Sequence, residues 1–221
     1  MITPNAWWQN LQNYNQAVFP VQIILYLLVA ITTGMFITRP GKTASKVVKT
    51  CFILAFAWIG IVFFAIKGQS LPAHQAQTFL FVTLAVLFAI DLFTDTTSFT
   101  LPAPGWQRTM ALLGFGLVLL GYPLMSHLLG RPFARWIVPG SFPCPTTALA
   151  LVFMSTRLPE KRRWLYLLTM FFLLLWAIPF PIMIQIPQFG VYEDAIMLTA
   201  GIISMVMLVI HWKNTKPIPE Q

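Results

Sequence analysis

The chain has 221 residues, 57% of them hydrophobic and only 9% charged, with a formal net charge of +8. A soluble domain of this length carries about a quarter charged residues, so there are too few polar side chains to coat a water-facing surface, and a soluble enzyme or regulatory domain is excluded. The basic residues sit in short connections between apolar runs, which fits topology and anionic lipid headgroups and gives no support to nucleic acid as a partner.

In chain order, no Lys or Arg precedes Arg39, so no signal-peptide n-region is read. Residues 1–17 form a polar and aromatic segment in which Pro4 and Asn5 start a short helix. Trp7, Trp8, Leu11 and Tyr14 then share one face, which predicts an amphipathic helix lying in the membrane interface. Residues 18–212 form a transmembrane domain. Seven apolar runs approach the roughly 20 residues that a crossing helix needs: 18–38, 47–66, 76–93, 109–128, 137–155, 164–184 and 194–212. Residues 213–221 are a cytosolic tail. The expected fold is all-α, a polytopic bundle of seven transmembrane helices.

Orientation follows from the connections. With the N-terminus outside, the cytosolic side holds Arg39, Lys42, Lys46, Lys49, Arg108, Arg157, Lys161, Arg162, Arg163, Lys213 and Lys216. The outer side holds Lys67, Arg131 and Arg135, so the 14 basic residues divide eleven to three. The positive-inside rule therefore places the C-terminus in the cytosol of a cell whose inner membrane holds the chain.

The fifth run is irregular. Three prolines and a glycine lie between Pro139 and Pro145, and proline removes an amide donor and clashes with the preceding turn. A broken helix is expected, restarting between Cys144 and Thr147 after a non-helical stretch within the membrane. A helix N-terminus at that depth presents free N–H groups and a partial positive charge, and discontinuous helices of this type build sites in transporters. A proline-kinked continuous helix is the plain alternative.

Three stretches carry a family resemblance: Tyr14-Asn15-x-Ala17-x-Phe19-Pro20-x-Gln22, Phe142-Pro143-Cys144-Pro145-Thr146-Thr147 and Glu193-Asp194. Together they resemble a bacterial family of seven-span membrane proteins of unknown function. The resemblance runs along nearly the whole chain and implies fold and localisation rather than an activity.

On this topology Tyr14, Asn15, Gln22, His127, Arg131, Arg135, Cys144, Thr146, Thr147, Glu193 and Asp194 collect in the outer half. Polar groups are rare within spans, so such a grouping is a candidate ligand site. Glu193 and Asp194 have a plainer role as first-turn carboxylates or partners of Arg131 or Arg135, and His127 as an interface residue. Cys51 and Cys144 lie at different depths, so no disulfide is expected. No metal-ligand spacing, catalytic motif or cofactor fingerprint appears. The expected function is a small-solute transporter or channel subunit, with an anion as the favoured solute. The alternatives are a membrane enzyme using Cys144 or His127, and a sensor that assembles with a second copy or another membrane protein.

Overall fold

A computed structural model describes residues 2–156 and 163–214 of the chain. Among the described residues every regular element is a helix. α1 is Pro4–Val18. α2 to α5 are Val21–Thr38, Lys42–Lys67, His74–Thr94 and Trp106–Leu128. α6 is Pro143–Met154, α7 is Arg163–Phe189, and α8 is Ala195–Asn214, entered through a 3-10 turn over Tyr192–Asp194. α2, α3, α4, α5, α7 and α8 with its entry turn are long and apolar enough to cross a membrane, whereas α6 is a shorter apolar helix. This is the architecture of a membrane-embedded protein. The tail at 213–221 falls outside the described residues beyond position 214, as do Arg157, Lys161 and Arg162.

The polar start of the chain does form a helix. The Thr3 hydroxyl caps it by accepting the Ala6 N–H at 3.3 Å, and Pro4 occupies the first helical position. Its apolar face packs on protein: Trp8, Leu11, Tyr14 and Val18 are buried in the core. Trp7 stacks on Phe189, and the Tyr14 ring meets Phe63 and Phe142 edge-on. The chain leaves α1 through an extended Phe19 and re-enters a helix after Pro20, because proline has no N–H to continue the ladder.

Two ends of the bundle are distinguishable by their hydrogen bonds. At one, Asn10 donates to Ser70, Asn15 donates to the carbonyls of Ala134 and Trp136, and Trp8 donates to the Phe189 carbonyl. At the other, the Phe99 N–H donates to the Ser45 hydroxyl and Tyr166 donates to the Met154 carbonyl. α6 and the residues that lead into it join the two ends.

α6 is the axis. All twelve of its residues are buried, enclosed by α3, α5, α7 and α8. The Phe153 ring sits among Phe36, Phe52, Phe99 and Phe115 at centroid separations of 5.0, 5.5, 5.6 and 4.6 Å. α5 approaches closely through two glycines: a Cβ at Gly114 would stand 3.1 Å from Val152, and one at Gly121 would stand 3.1 Å from Ile196. Gly116 has nothing within 4 Å and plays no such part. Three of the long helices carry π-helical turns, over Ile59–Lys67, Leu117–Gly121 and Pro181–Gln185. The last follows Pro179 and Pro181, whose missing N–H groups prevent the regular α ladder there.

Lys49 belongs to the interior and not to a connection. It is fully buried, its Nζ 3.4 Å from Asp91 Oδ2 and 3.6 Å from Asp95 Oδ1, and it donates to the Asp91 carbonyl. Asp91 Oδ1 in turn accepts the Thr97 N–H at 2.7 Å. The buried ammonium thus compensates the buried Asp91 carboxylate and reaches the half-exposed Asp95, pinning the turn after α4.

Candidate functional site

The fifth run breaks where its prolines lie. Residues 136–142 are non-helical, and α6 begins at Pro143, one residue before the expected Cys144–Thr147 window. Gly140 has φ +93°, and a Cβ there would stand 2.8 Å from the Leu25 carbonyl oxygen of α2. Only glycine tolerates both conditions. Thr146 closes the turn: its hydroxyl donates to the Phe142 carbonyl at 2.6 Å and accepts the Gly140 N–H at 2.8 Å. Tyr14 braces the same stretch from α1, donating to the Ser141 carbonyl at 3.0 Å while accepting the Trp58 indole N–H at 2.8 Å. Burial pushes the Tyr14 hydroxyl well above the usual phenol range, outweighing the opposing effect of Trp58, so the donor keeps its proton at physiological pH.

The start of α6 is poor in donors. Pro143 and Pro145 have no N–H, and the Thr146 N–H is taken by the Phe142 carbonyl. Of the first four helical positions only Cys144 has an amide free of such a partner, so the amide cradle that makes helix starts good anion sites is reduced to one group.

Beside this start lies a cavity of about 310 Å³, within the size range of small-molecule sites. Ile2 with Trp7 and Leu11 of α1 covers it, and α3, α4, α6, α7 and the entry turn of α8 supply most of the remaining wall. Seven aromatic rings line it, among them Trp7, Phe63, Phe64, Trp176 and Phe180. Few polar groups interrupt them. Gln77 Oε1, Gln185 Oε1, Trp176 Nε1 and Asp194 Oδ2 are buried without a hydrogen-bond partner, and all four residues line the cavity. Buried polar atoms of this kind are rare in folded proteins, and each asks for an explanation.

Asp194 is fully buried, and its Oδ1 accepts from the Tyr122 hydroxyl at 3.3 Å. The Cys144 thiol sits beside the carboxylate but not in a geometry that satisfies Oδ2. Glu193, its neighbour in sequence, is held quite differently. Arg131 Nε donates to Glu193 Oε1 at 2.7 Å, Arg131 Nη2 donates to the Gly190 carbonyl, and Ser126 donates to the same carboxylate at 3.1 Å. The guanidinium also lies 3.7 Å over the Trp8 ring. This clasp ties α1, the end of α5 and the entry of α8 together and uses up both charges.

The sequence-derived residues therefore separate. Cys144 and Asp194 line the cavity. Tyr14, Asn15 and Thr146 hold the backbone around it, and Arg131 with Glu193 forms the clasp. Thr147 is buried with its hydroxyl unpartnered and lies away from the cavity wall. His127 is exposed, its ring 6.2 Å from that of Trp136. Arg135 donates to Gln12 at 3.0 Å. Sequence reasoning missed Gln77, Trp176 and Gln185. The one available signal was that Gln185 is a polar residue at the end of an apolar, proline-interrupted run.

The geometry defines a helical membrane protein with an aromatic-walled, partly open cavity beside a short central helix. The chain belongs to a family of unknown function, DUF6064, whose family model matches residues 4–217. No curated protein and no solved structure matches the chain.

Proposed function

We propose that the protein is a small-solute transporter of the cell membrane and that the cavity is its solute site. The observation that carries this reading is the set of four unpartnered polar atoms on the wall of an otherwise aromatic and apolar cavity. Single atoms of this kind occur elsewhere in the core, Thr147 Oγ1 among them, but four on one cavity wall are what a site that receives a polar solute would keep free. The broken crossing next to it is the arrangement through which many transporters bind at depth. Saturable uptake into proteoliposomes from a labelled panel of amines, amino acids and organic acids is the expected result. A panel in which no class enters above protein-free vesicles sinks the transport reading.

In this reading the chain crosses seven times, with α6 and residues 137–142 together making the fifth crossing. At about 18 Å, a 12-residue helix spans little more than half of a roughly 30 Å hydrocarbon core. The N-terminus is outside and the C-terminus cytosolic, on the strength of the ten-to-three division of basic residues that is left once the buried Lys49 is set aside. A cysteine in place of Lys67 should react with an impermeant thiol reagent in intact cells, and one in place of Lys42 should not. The opposite pattern reverses the orientation.

One observation favours a membrane-embedded thiol enzyme instead: Cys144 and Asp194 share the cavity wall. His127, the other group considered for chemistry, is exposed and outside that wall. Turnover of a solute trapped with the protein, without net uptake, would favour this second reading.

A further inference from the structure

We propose that the cavity takes an organic ammonium ion, a protonated amine on an apolar body, with Asp194 as its counter-charge. The inference rests on the reading of the cavity as a solute site and names the chemical class that fits it.

The first ground is the balance of donors and acceptors. Three of the four unpartnered wall atoms are oxygens, Gln77 Oε1, Gln185 Oε1 and Asp194 Oδ2, against one donor, Trp176 Nε1. An ammonium group carries several N–H donors and no acceptor, so it answers the oxygens. A carboxylate answers only the indole and would stand against the acid.

Charge is the second ground. Among the described residues no Lys, Arg or His lines the cavity, and the guanidinium of Arg131 is spent on Glu193, the residue before Asp194. Asp194 takes part in no ion pair among the described residues. An ionised carboxylate fully out of water and without a cation costs several kcal/mol, and a cationic solute removes that cost on entry. The contrast with Glu193 and Asp91 is informative, because the chain supplies a cation to each of those buried acids and leaves Asp194 without one.

The walls are the third ground. Faces of tryptophan and phenylalanine attract an ammonium through the ring quadrupole while burying an apolar body. The donor-poor start of α6, with prolines at its first and third positions, removes the feature that would otherwise recruit an anion.

The test is a titration of the purified full chain in lipid nanodiscs with three probes of one shape: 2-phenylethylammonium, 2-phenylethanol and 3-phenylpropanoate. Saturable binding of the ammonium ion is expected, with the alcohol at least about tenfold weaker and the carboxylate weaker still. Asp194→Asn keeps the acceptor for Tyr122 and should bring the ammonium down to the level of the alcohol. Gln185→Leu, an independent variant should Asp194→Asn fold poorly, should weaken the ammonium more than the alcohol. Tightest binding by the carboxylate overturns the proposal. So does equal binding of ammonium and alcohol, or no binding by either. Ammonium binding that survives unchanged in the folded Asp194→Asn protein also overturns it. Failure of the transport reading looks different: the ammonium ion binds saturably but no solute crosses the bilayer. Conversely, uptake of an acid or neutral solute with no amine binding leaves transport standing and removes this inference.

Discussion

Alanine at position 140 is expected to cost about 3 kcal/mol or more, enough to remove most folded protein from a membrane preparation. The Gly140 backbone has φ +93°, and its Cα approaches the Leu25 carbonyl so closely that an added Cβ would stand 2.8 Å from the oxygen. A methyl group must therefore bear both a strained dihedral and a clash with backbone, which does not yield as a side chain does. The loss should appear as a lower melting temperature in detergent and a lower yield. Thr146→Val should cost less, about 1–3 kcal/mol, since it removes one hydroxyl and leaves the Gly140 N–H unpaired. Gly116→Ala is the control: nothing lies within 4 Å of its added Cβ, so stability should hold or rise by up to about 1 kcal/mol. A Gly140→Ala protein that melts with the wild type would show that the turn does not press on α2.

Lys49→Met is expected to destabilise by about 3–5 kcal/mol, because it strands the Asp91 carboxylate in the interior without its cation. Asp95 loses the same partner but is about half exposed, so water takes up much of its charge. Adding Asp91→Asn to Lys49→Met should recover a large part of the loss. The amide oxygen can still accept the Thr97 N–H, and no buried carboxylate is left without a cation there. A double-mutant cycle on thermal unfolding checks this. Additive losses would mean that the three groups do not act as a unit.

The two residues differ in how far the sequence exposed them. The break at Gly140 was legible, because three prolines and a glycine within seven residues have few other uses in an apolar run. The restart at Pro143 followed within one residue. The long helices were equally plain, since length and hydropathy set them without tertiary help. Lys49 was not legible. It was read as a loop cation because nothing local distinguishes a lysine at the edge of an apolar run from one inside it, and its partners lie 42 and 46 positions away. α1 shows the same limit: its aromatic stripe was correct, but a stripe does not say whether lipid or protein covers it. Cys144 and Asp194, which line the cavity, stand out in the sequence through the motif and the paired acids. Gln77 and Trp176, which meet them only through the packing of α4 and α7 against α6, left no periodic trace. The anion expectation rested on helix-start amides, and the same prolines that announced the break remove those donors.

The aromatic rings around α6 have a further consequence, for the electrical behaviour of the membrane. From Trp176 on the cavity wall, contacts pass through Phe81, Phe56 and Phe52 to Phe153 and then to Phe99, at centroid separations of 5.0 to 6.0 Å. Phe99 is anchored at the opposite end through Ser45. This column offers a bare ion neither water nor a charged partner, at a cost of several kcal/mol for every charge that enters it. In this conformation the column is a barrier to a bare ion. On the transport reading proposed above, a solute that passes from the cavity to the far end of the bundle must wait for these rings to part.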